Sequence, residues 1–110
     1  MARVALLCPD LLFGSKVEGG LRAAGHEVVR YSDVDSARSA DADVLVVDLT
    51  SDVDERVGLG GVSGPRTLAF YSHVEHDTRV RAEEAGFDLV VPRSRMAREM
   101  GALVDRLAAQ

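Results

Sequence analysis

Five short apolar segments recur along the chain, and segments with helical spacing lie between them. The apolar segments are VALL (4–7), EVVRY (27–31), VLVVD (44–48), TLAFY (67–71) and LVV (89–91). Several of them lack alternation of polar and apolar residues, which is typical of strands buried on both faces. Because strands that alternate with helices form right-handed βαβ units, the sequence predicts a parallel sheet with helices on both faces.

The segments between the strands differ in how clearly they predict a helix. The predicted helices cover residues 13–24, 33–39, 75–85 and 96–107. Gly25 follows the first of them in the position of a C-terminal glycine cap. The glycine-rich segment 50–65 has little periodicity, so it predicts mostly loop with at most one short helical turn.

This order of elements predicts a flavodoxin-like α/β fold: a doubly wound, five-stranded parallel sheet of strand order 2-1-3-4-5. The length of 110 residues fits one domain, covering 1–110. The net charge of −5 disfavours nucleic acid as a partner. No apolar run reaches the roughly 18 residues of a membrane span, and no signal peptide is recognisable. A cytoplasmic protein with no membrane partner is therefore expected.

Polar residues follow four of the predicted strands. They are Cys8-Pro9-Asp10, Asp48-Leu49-Thr50, Ser72-His73 and Pro92-Arg93-Ser94. In doubly wound sheets, ligands bind beyond the carboxyl ends of the strands, at the switch point between strands 1 and 3. The functional site is expected there.

Three stretches carry a resemblance to a known family. DVLVVDLT, TLAFYS and EEAGFDLVVPRS are similar to strand 3, strand 4 and the turn into strand 5 of response-regulator receiver domains. The resemblance implies that Asp48 stands at the phosphoacceptor position. It also implies that Ser72 stands at the position of the phosphate-contacting hydroxyl and Arg93 at that of the phosphate-contacting lysine. Thr50 is expected to join them in a phosphate pocket.

The family holds Mg²⁺ with an acidic pair after strand 1, and here this sequence departs from it. Cys8 and Pro9 occupy those two positions, and Asp10 stands one residue late. Asp10 and Asp48 are therefore the remaining candidate ligands for Mg²⁺, the one cofactor that the resemblance implies. Arg93 is expected to pair with Asp48, because a guanidinium matches a carboxylate in geometry and charge.

These departures predict a stand-alone, atypical receiver-like signalling module rather than an enzyme. It would act by protein–protein binding, without Mg²⁺-dependent phosphorylation. The partner would be a histidine kinase or an output protein, and a homodimer through the side from helix 4 to helix 5 is a further hypothesis.

Two alternatives stay open from the sequence. The first is a working response regulator, phosphorylated on Asp48 with help from Asp10, Ser72 and Arg93. The second is a phosphoryl-transfer enzyme that uses Cys8, whose thiolate would gain from a following helix N-terminus. The arginine expected six residues after such a cysteine is absent, since Gly14 stands there.

Several of these residues also have ordinary structural interpretations. Asp48 can cap the turn that follows it. Ser72 and Glu75 match the spacing of a capping box for the fourth helix. Cys8 fits a small buried residue at a strand end. His73 is adjacent to Ser72 and would change its charge near neutral pH, so it is a candidate modulator of the site.

Overall fold

A computed structural model describes residues 1–72 and 74–110, and its five strands form one parallel sheet. The strands are β1 (Arg3–Leu7), β2 (Glu27–Tyr31), β3 (Val44–Asp48), β4 (Arg66–Tyr71) and β5 (Leu89–Pro92). Their order is β2-β1-β3-β4-β5, and every neighbouring pair is parallel. The predicted fold class and strand order are confirmed. The hypothesis about His73 falls outside the described residues.

Helices connect the strands and follow the last one. They are α1 (Leu11–Ala23), α2 (Val34–Arg38), α3 (Val53–Arg56), α4 (His76–Ala85) and α5 (Arg93–Ala108), and a 3₁₀ segment (Val57–Gly61) directly follows α3. In the described part of the chain, no helix combines the length and the apolar character needed to cross a membrane.

The sheet separates two apolar cores. Val4 and Leu6 of β1 point into the core under α1 and α5, whereas Ala5 and Leu7 point into the core under α2 and α4. Successive side chains of a strand face opposite sides of a sheet, so a strand between two cores needs apolar residues at every position. This explains why the strand segments lack polar alternation.

The connection after β3 is more helical than the prediction of a loop over 50–65. Asp52 and Arg56 form an ion pair across one helical turn, and Leu59 is completely buried beneath the 3₁₀ segment. The loop prediction was wrong on this point, because this local ion pair and the burial of Leu59 outweigh the weak helix propensity of the glycines.

Asp10 is the N-cap of α1, which begins at Leu11, two residues before the predicted helix. Its carboxylate oxygen Oδ1 accepts hydrogen bonds from the backbone N–H groups of Leu12 and Phe13, both at 3.0 Å. This is the standard geometry of an aspartate N-cap. Further along α1, a Cβ atom on Gly20 would lie 2.4 Å from the sulfur of Met100, so α1 packs closely on α5 there.

The start of α4 also differs from the prediction. The N-cap is Glu75, no side chain caps the helix, and the backbone N–H of Glu75 donates to the carbonyl of Ser72 at 2.8 Å. The capping box between Ser72 and Glu75 is therefore wrong, because the box requires Glu75 to lie inside the helix, whereas α4 begins at His76. Only Thr78 and Ala82 of α4 are buried.

Candidate functional site

The carboxyl ends of β1 and β3 bring Cys8 and Asp48 together. The two strands are direct neighbours in the sheet, and both residues follow or end a buried strand. The thiol of Cys8 lies 3.5 Å from the carboxylate oxygen Oδ2 of Asp48 and donates to it. Both side chains are buried, with 1% and 2% of their residue surface exposed.

Both carboxylate oxygens of Asp48 accept hydrogen bonds from neighbouring residues. Its oxygen Oδ1 accepts hydrogen bonds from the backbone N–H of Thr50 at 2.8 Å and from the Thr50 hydroxyl at 2.5 Å. Its other oxygen accepts from Cys8. The hydrogen bonds to Thr50 are those of an aspartate that holds its own following turn.

Arg56 supplies the positive charge beside Asp48. Its Nη1 donates to the backbone carbonyl of Asp48 at 3.0 Å and lies 4.0 Å from the carboxylate oxygen Oδ2. Its Nη2 pairs with Asp52 at 3.2 Å. Only 6% of Arg56 is exposed. Sequence reasoning missed this residue; the spacing of Asp52 and Arg56, four apart, was the available signal.

Arg93 lies elsewhere. Its Nη2 is 3.6 Å from Oδ2 of Asp10, and its guanidinium carbon lies 4.2 Å from the centre of the Phe13 ring. The predicted ion pair between Arg93 and Asp48 is therefore wrong. The first residue of α5 reaches across to the start of α1, where a carboxylate and an aromatic face are available, while Arg56 already occupies the surroundings of Asp48.

No protein-family model matches the chain, and no curated protein sequence matches it. Solved structures do match over nearly the whole chain. A putative response regulator from Chloroflexus aurantiacus is 18% identical with a TM-score of 0.85, covering 99% of this chain and 98% of that chain. The chain has the receiver-domain fold.

Two further receiver-fold structures bear on the site. The receiver domain of a sensor histidine kinase from Pseudomonas aeruginosa PAO1 is 16% identical with a TM-score of 0.78, covering 99% of this chain and 98% of that chain; its structure has a magnesium ion coordinated in the active site cleft. An atypical orphan response regulator is 16% identical with a TM-score of 0.78, covering 97% of this chain and 95% of that chain. It is described as having a phosphorylation-independent regulatory mechanism.

The corner where receivers of this kind hold magnesium does not suit Mg²⁺ in this chain. Mg²⁺ requires near-octahedral oxygen coordination through carboxylates and water. Cys8 offers a thiol and Pro9 no ligand, while Asp10 uses one oxygen as a helix cap and the other toward Arg93. Across residues 1–72 and 74–110, no three His, Cys, Asp or Glu side chains are grouped so that they could hold a metal ion. The sequence-based suggestion of a site from Asp10 and Asp48 is not supported by this arrangement.

The other predicted site residues line an open cleft of about 680 Å³ between α1 and α5. Thr50, Ser72 and Arg93 are in its wall, together with Lys16. The structure thus brings these three predicted residues to one surface, although Asp48 itself is closed off beneath it. Their role in contacting phosphate stays a prediction.

Cys8 is a poor nucleophile in this position. Burial, and next the negative charge and hydrogen bond of Asp48, raise the pKa of the Cys8 thiol from its ordinary value of 9.0 to about 12. Because the thiolate is the nucleophilic form of cysteine, the thiol is unreactive at neutral pH. The geometry therefore does not favour the alternative of an enzyme that uses Cys8.

We expect Cys8 in the folded protein to react with iodoacetamide at pH 8 at least about a hundredfold more slowly than in urea.

The raised pKa of Cys8 also means that the folded state holds the thiol proton more tightly than the unfolded state. This contribution to stability is complete below about pH 9 and is lost as the pH rises toward 12. Urea denaturation of the wild type and of Cys8→Ser at several pH values across that range measures this contribution. If the free energy of unfolding changes with pH equally in the two proteins, the prediction is contradicted.

Proposed function

We propose that this chain is a receiver-like signalling module that acts by binding another protein and does not accept a phosphoryl group on Asp48. The observation that carries the proposal is the closed surroundings of Asp48. A phosphoacceptor carboxylate must expose an oxygen to the phosphodonor, but both oxygens of Asp48 accept hydrogen bonds from Thr50 or Cys8. Only 2% of Asp48 is exposed.

The charge balance at this corner supports the same proposal. Phosphoryl transfer requires cations to neutralise the charge of the transferred group. Arg56 is a cation near Asp48, but its Nη1 and Nη2 already contact the carbonyl of Asp48 and the carboxylate of Asp52. The positions that bind magnesium in other receivers carry Cys8 and Pro9. The atypical orphan regulator with the same fold is a precedent for regulation without phosphorylation.

We propose the side formed by α4, β5 and α5 as the surface for the protein partner, whether a histidine kinase, an output protein or a second copy. It carries two partly exposed ion pairs, Arg79 with Glu83 and Arg95 with Glu99, so charges of both signs lie on this surface. A surface with both charges can be self-complementary, as the symmetric interface of a homodimer requires. The small buried area of α4 leaves this helix able to adjust to a partner.

The proposal is tested by incubating the protein with acetyl phosphate and Mg²⁺ and measuring its intact mass. We expect no species heavier by one phosphoryl group. A receiver domain with a complete acidic pair, treated in the same way, is the positive control for the reagent. A base-labile phosphoryl adduct that forms on the wild type and disappears in Asp48→Asn would overturn the proposal.

A further inference from the structure

We propose that the outer edge of β2 is an interface for a second copy of this chain, and that Arg22 sets the strength of the association. β2 is one edge of the sheet, whereas the side formed by α4, β5 and α5 lies at the other edge. The two surfaces are therefore separate, and either can bind a partner without the other.

The backbone of β2 presents polar groups to the outside of the sheet. The N–H of Glu27 donates to the carbonyl of Ala2 at 3.0 Å, so Glu27 faces β1. Because the backbone groups of a strand alternate in direction with a period of two, those of Val28 and Arg30 face outward. Within residues 1–72 and 74–110, no other strand or loop backbone pairs with these outward groups. Such an edge is able to pair with a further strand.

The centre of β2 also carries an exposed apolar side chain. Val28 is buried in the core under α1, whereas Val29 points to the opposite face and is 54% exposed. α2 lies on that face but has only five residues, and it leaves Val29 open to solvent. Natural edge strands are commonly protected by charged side chains, and an apolar residue at this position favours pairing instead.

An antiparallel pairing of two copies centred on Val29 satisfies the edge of both. It places Val28 of each copy opposite Arg30 of the other, and each of these pairs exchanges both of its N–H···O=C hydrogen bonds. The two Val29 side chains meet at the two-fold axis. Glu27 lies opposite Tyr31, whose hydroxyl can donate to the carboxylate. The interface is therefore self-complementary, as a closed dimer requires.

The neighbouring registers are excluded by charge and by hydrogen bonding. A pairing centred on Arg30 would place two arginines directly opposite each other, which is unfavourable. A pairing centred on Val28 would need the N–H of His26, which already donates to the carbonyl of Leu21 at 3.0 Å. A shift by one residue would turn Val29 to the opposite face. The edge therefore matches a second copy in one register.

Arg22 of α1 occupies part of this edge in the single chain. Its Nη2 donates to the carbonyl of Val28 at 2.8 Å, and its Nε donates to Glu18 at 3.0 Å. The guanidinium thus binds the carbonyl that the N–H of Arg30 in a second copy would need. Pairing replaces this hydrogen bond in both copies, so Arg22 weakens the dimer while the rest of the edge stays accessible.

Sedimentation equilibrium over a range of protein concentrations measures the association. We expect the wild type to be a reversible mixture of monomer and dimer. Arg22→Met should dimerise at least about tenfold more tightly, because the Val28 carbonyl is then free in both copies. Val29→Lys should weaken the dimer at least about tenfold, because it places two positive charges opposite each other. Both side chains are about half exposed, so the variants should keep the circular dichroism spectrum of the wild type.

Hydrogen exchange and a matched variant locate the interface. The amides of Val28 and Arg30 should exchange at least about tenfold more slowly in the dimer than in the monomer. Arg95→Met is the control, because Arg95 is also a partly exposed helical arginine paired with a glutamate four residues away, but at the other edge of the sheet. It should leave dimerisation unchanged.

Four results would overturn the proposal. They are a wild type that stays monomeric up to about 1 mM, equal dimerisation of Arg22→Met and the wild type, a dimer that Val29→Lys does not weaken, and a dimer that Arg95→Met weakens as much as Val29→Lys does. The last result would place the dimer at the side formed by α4, β5 and α5. None of these results depends on whether Asp48 accepts a phosphoryl group.

Discussion

Replacement of Arg56 by methionine is expected to lower the free energy of unfolding by about 3 kcal/mol. The substitution keeps most of the apolar volume of the side chain but removes the buried cation beside Asp48. The carboxylate would then keep its burial while losing its nearest positive charge, and the carbonyl of Asp48 would lose a hydrogen bond of 3.0 Å. Urea denaturation followed by circular dichroism measures the change.

A matched control is available in the same chain. Arg81 pairs with Asp54 at 2.8 Å, closer than Arg56 is to the Asp48 carboxylate, but the Arg81 side chain is about half exposed and that of Asp54 is almost fully exposed. Arg81→Met should therefore lower stability by less than about 1 kcal/mol. The double variant Asp48→Asn with Arg56→Met should lose less than the sum of the single variants, because neither charge is then left alone. Additive losses would show that the two side chains are not coupled.

Cys8→Asp is expected to make the stability of the protein depend on Mg²⁺. Without the metal, the new carboxylate would face Asp48 at the end of a buried strand, and we expect a loss of about 3 kcal/mol. With Mg²⁺ the two carboxylates gain a shared counter-ion. At a magnesium concentration about one hundred times the dissociation constant, binding should stabilise the variant by about 2.7 kcal/mol. Thermal unfolding in EDTA and in MgCl₂ measures both effects.

Cys8→Ser separates the charge of the new side chain from the loss of the thiol. Serine can still donate a hydrogen bond to Asp48 but adds no negative charge, so its stability should not respond to Mg²⁺. The wild type should not respond either, because Cys8 and Pro9 leave the corner without its acidic pair. Stabilisation of the wild type by Mg²⁺ to the same degree as Cys8→Asp would contradict our interpretation of this site.

The positions of the strands could be predicted from the sequence because a strand buried on both faces appears in it as a short run of apolar residues. Segments such as 44–47 are continuously apolar, as a strand between two cores requires. The same order of strand ends located Cys8, Asp48 and Ser72 at one edge of the sheet. These predictions depend on the local composition of each segment and on the order of the segments, and the sequence shows both directly.

The partners of the long charged side chains could not be predicted in the same way. Arg56 and Arg93 both carry a guanidinium that reaches several ångströms from the backbone, and the sequence does not say which carboxylate lies within that reach. The sequence predicts an ion pair between Arg93 and Asp48, whereas the cation beside Asp48 in the structure is Arg56. The sequence also predicts Asp10 as a metal ligand, although its place before LLF matches a helix N-cap, which is its role in the structure.

The small buried area of α4 has a thermodynamic consequence for recognition. With only Thr78 and Ala82 buried, this helix can detach at a free energy well below that of unfolding the sheet. A protein that recognises the detached helix would have an apparent affinity reduced by the fraction of molecules in that state. A substitution that improves packing beneath α4 would then weaken such a complex without altering any residue in the interface.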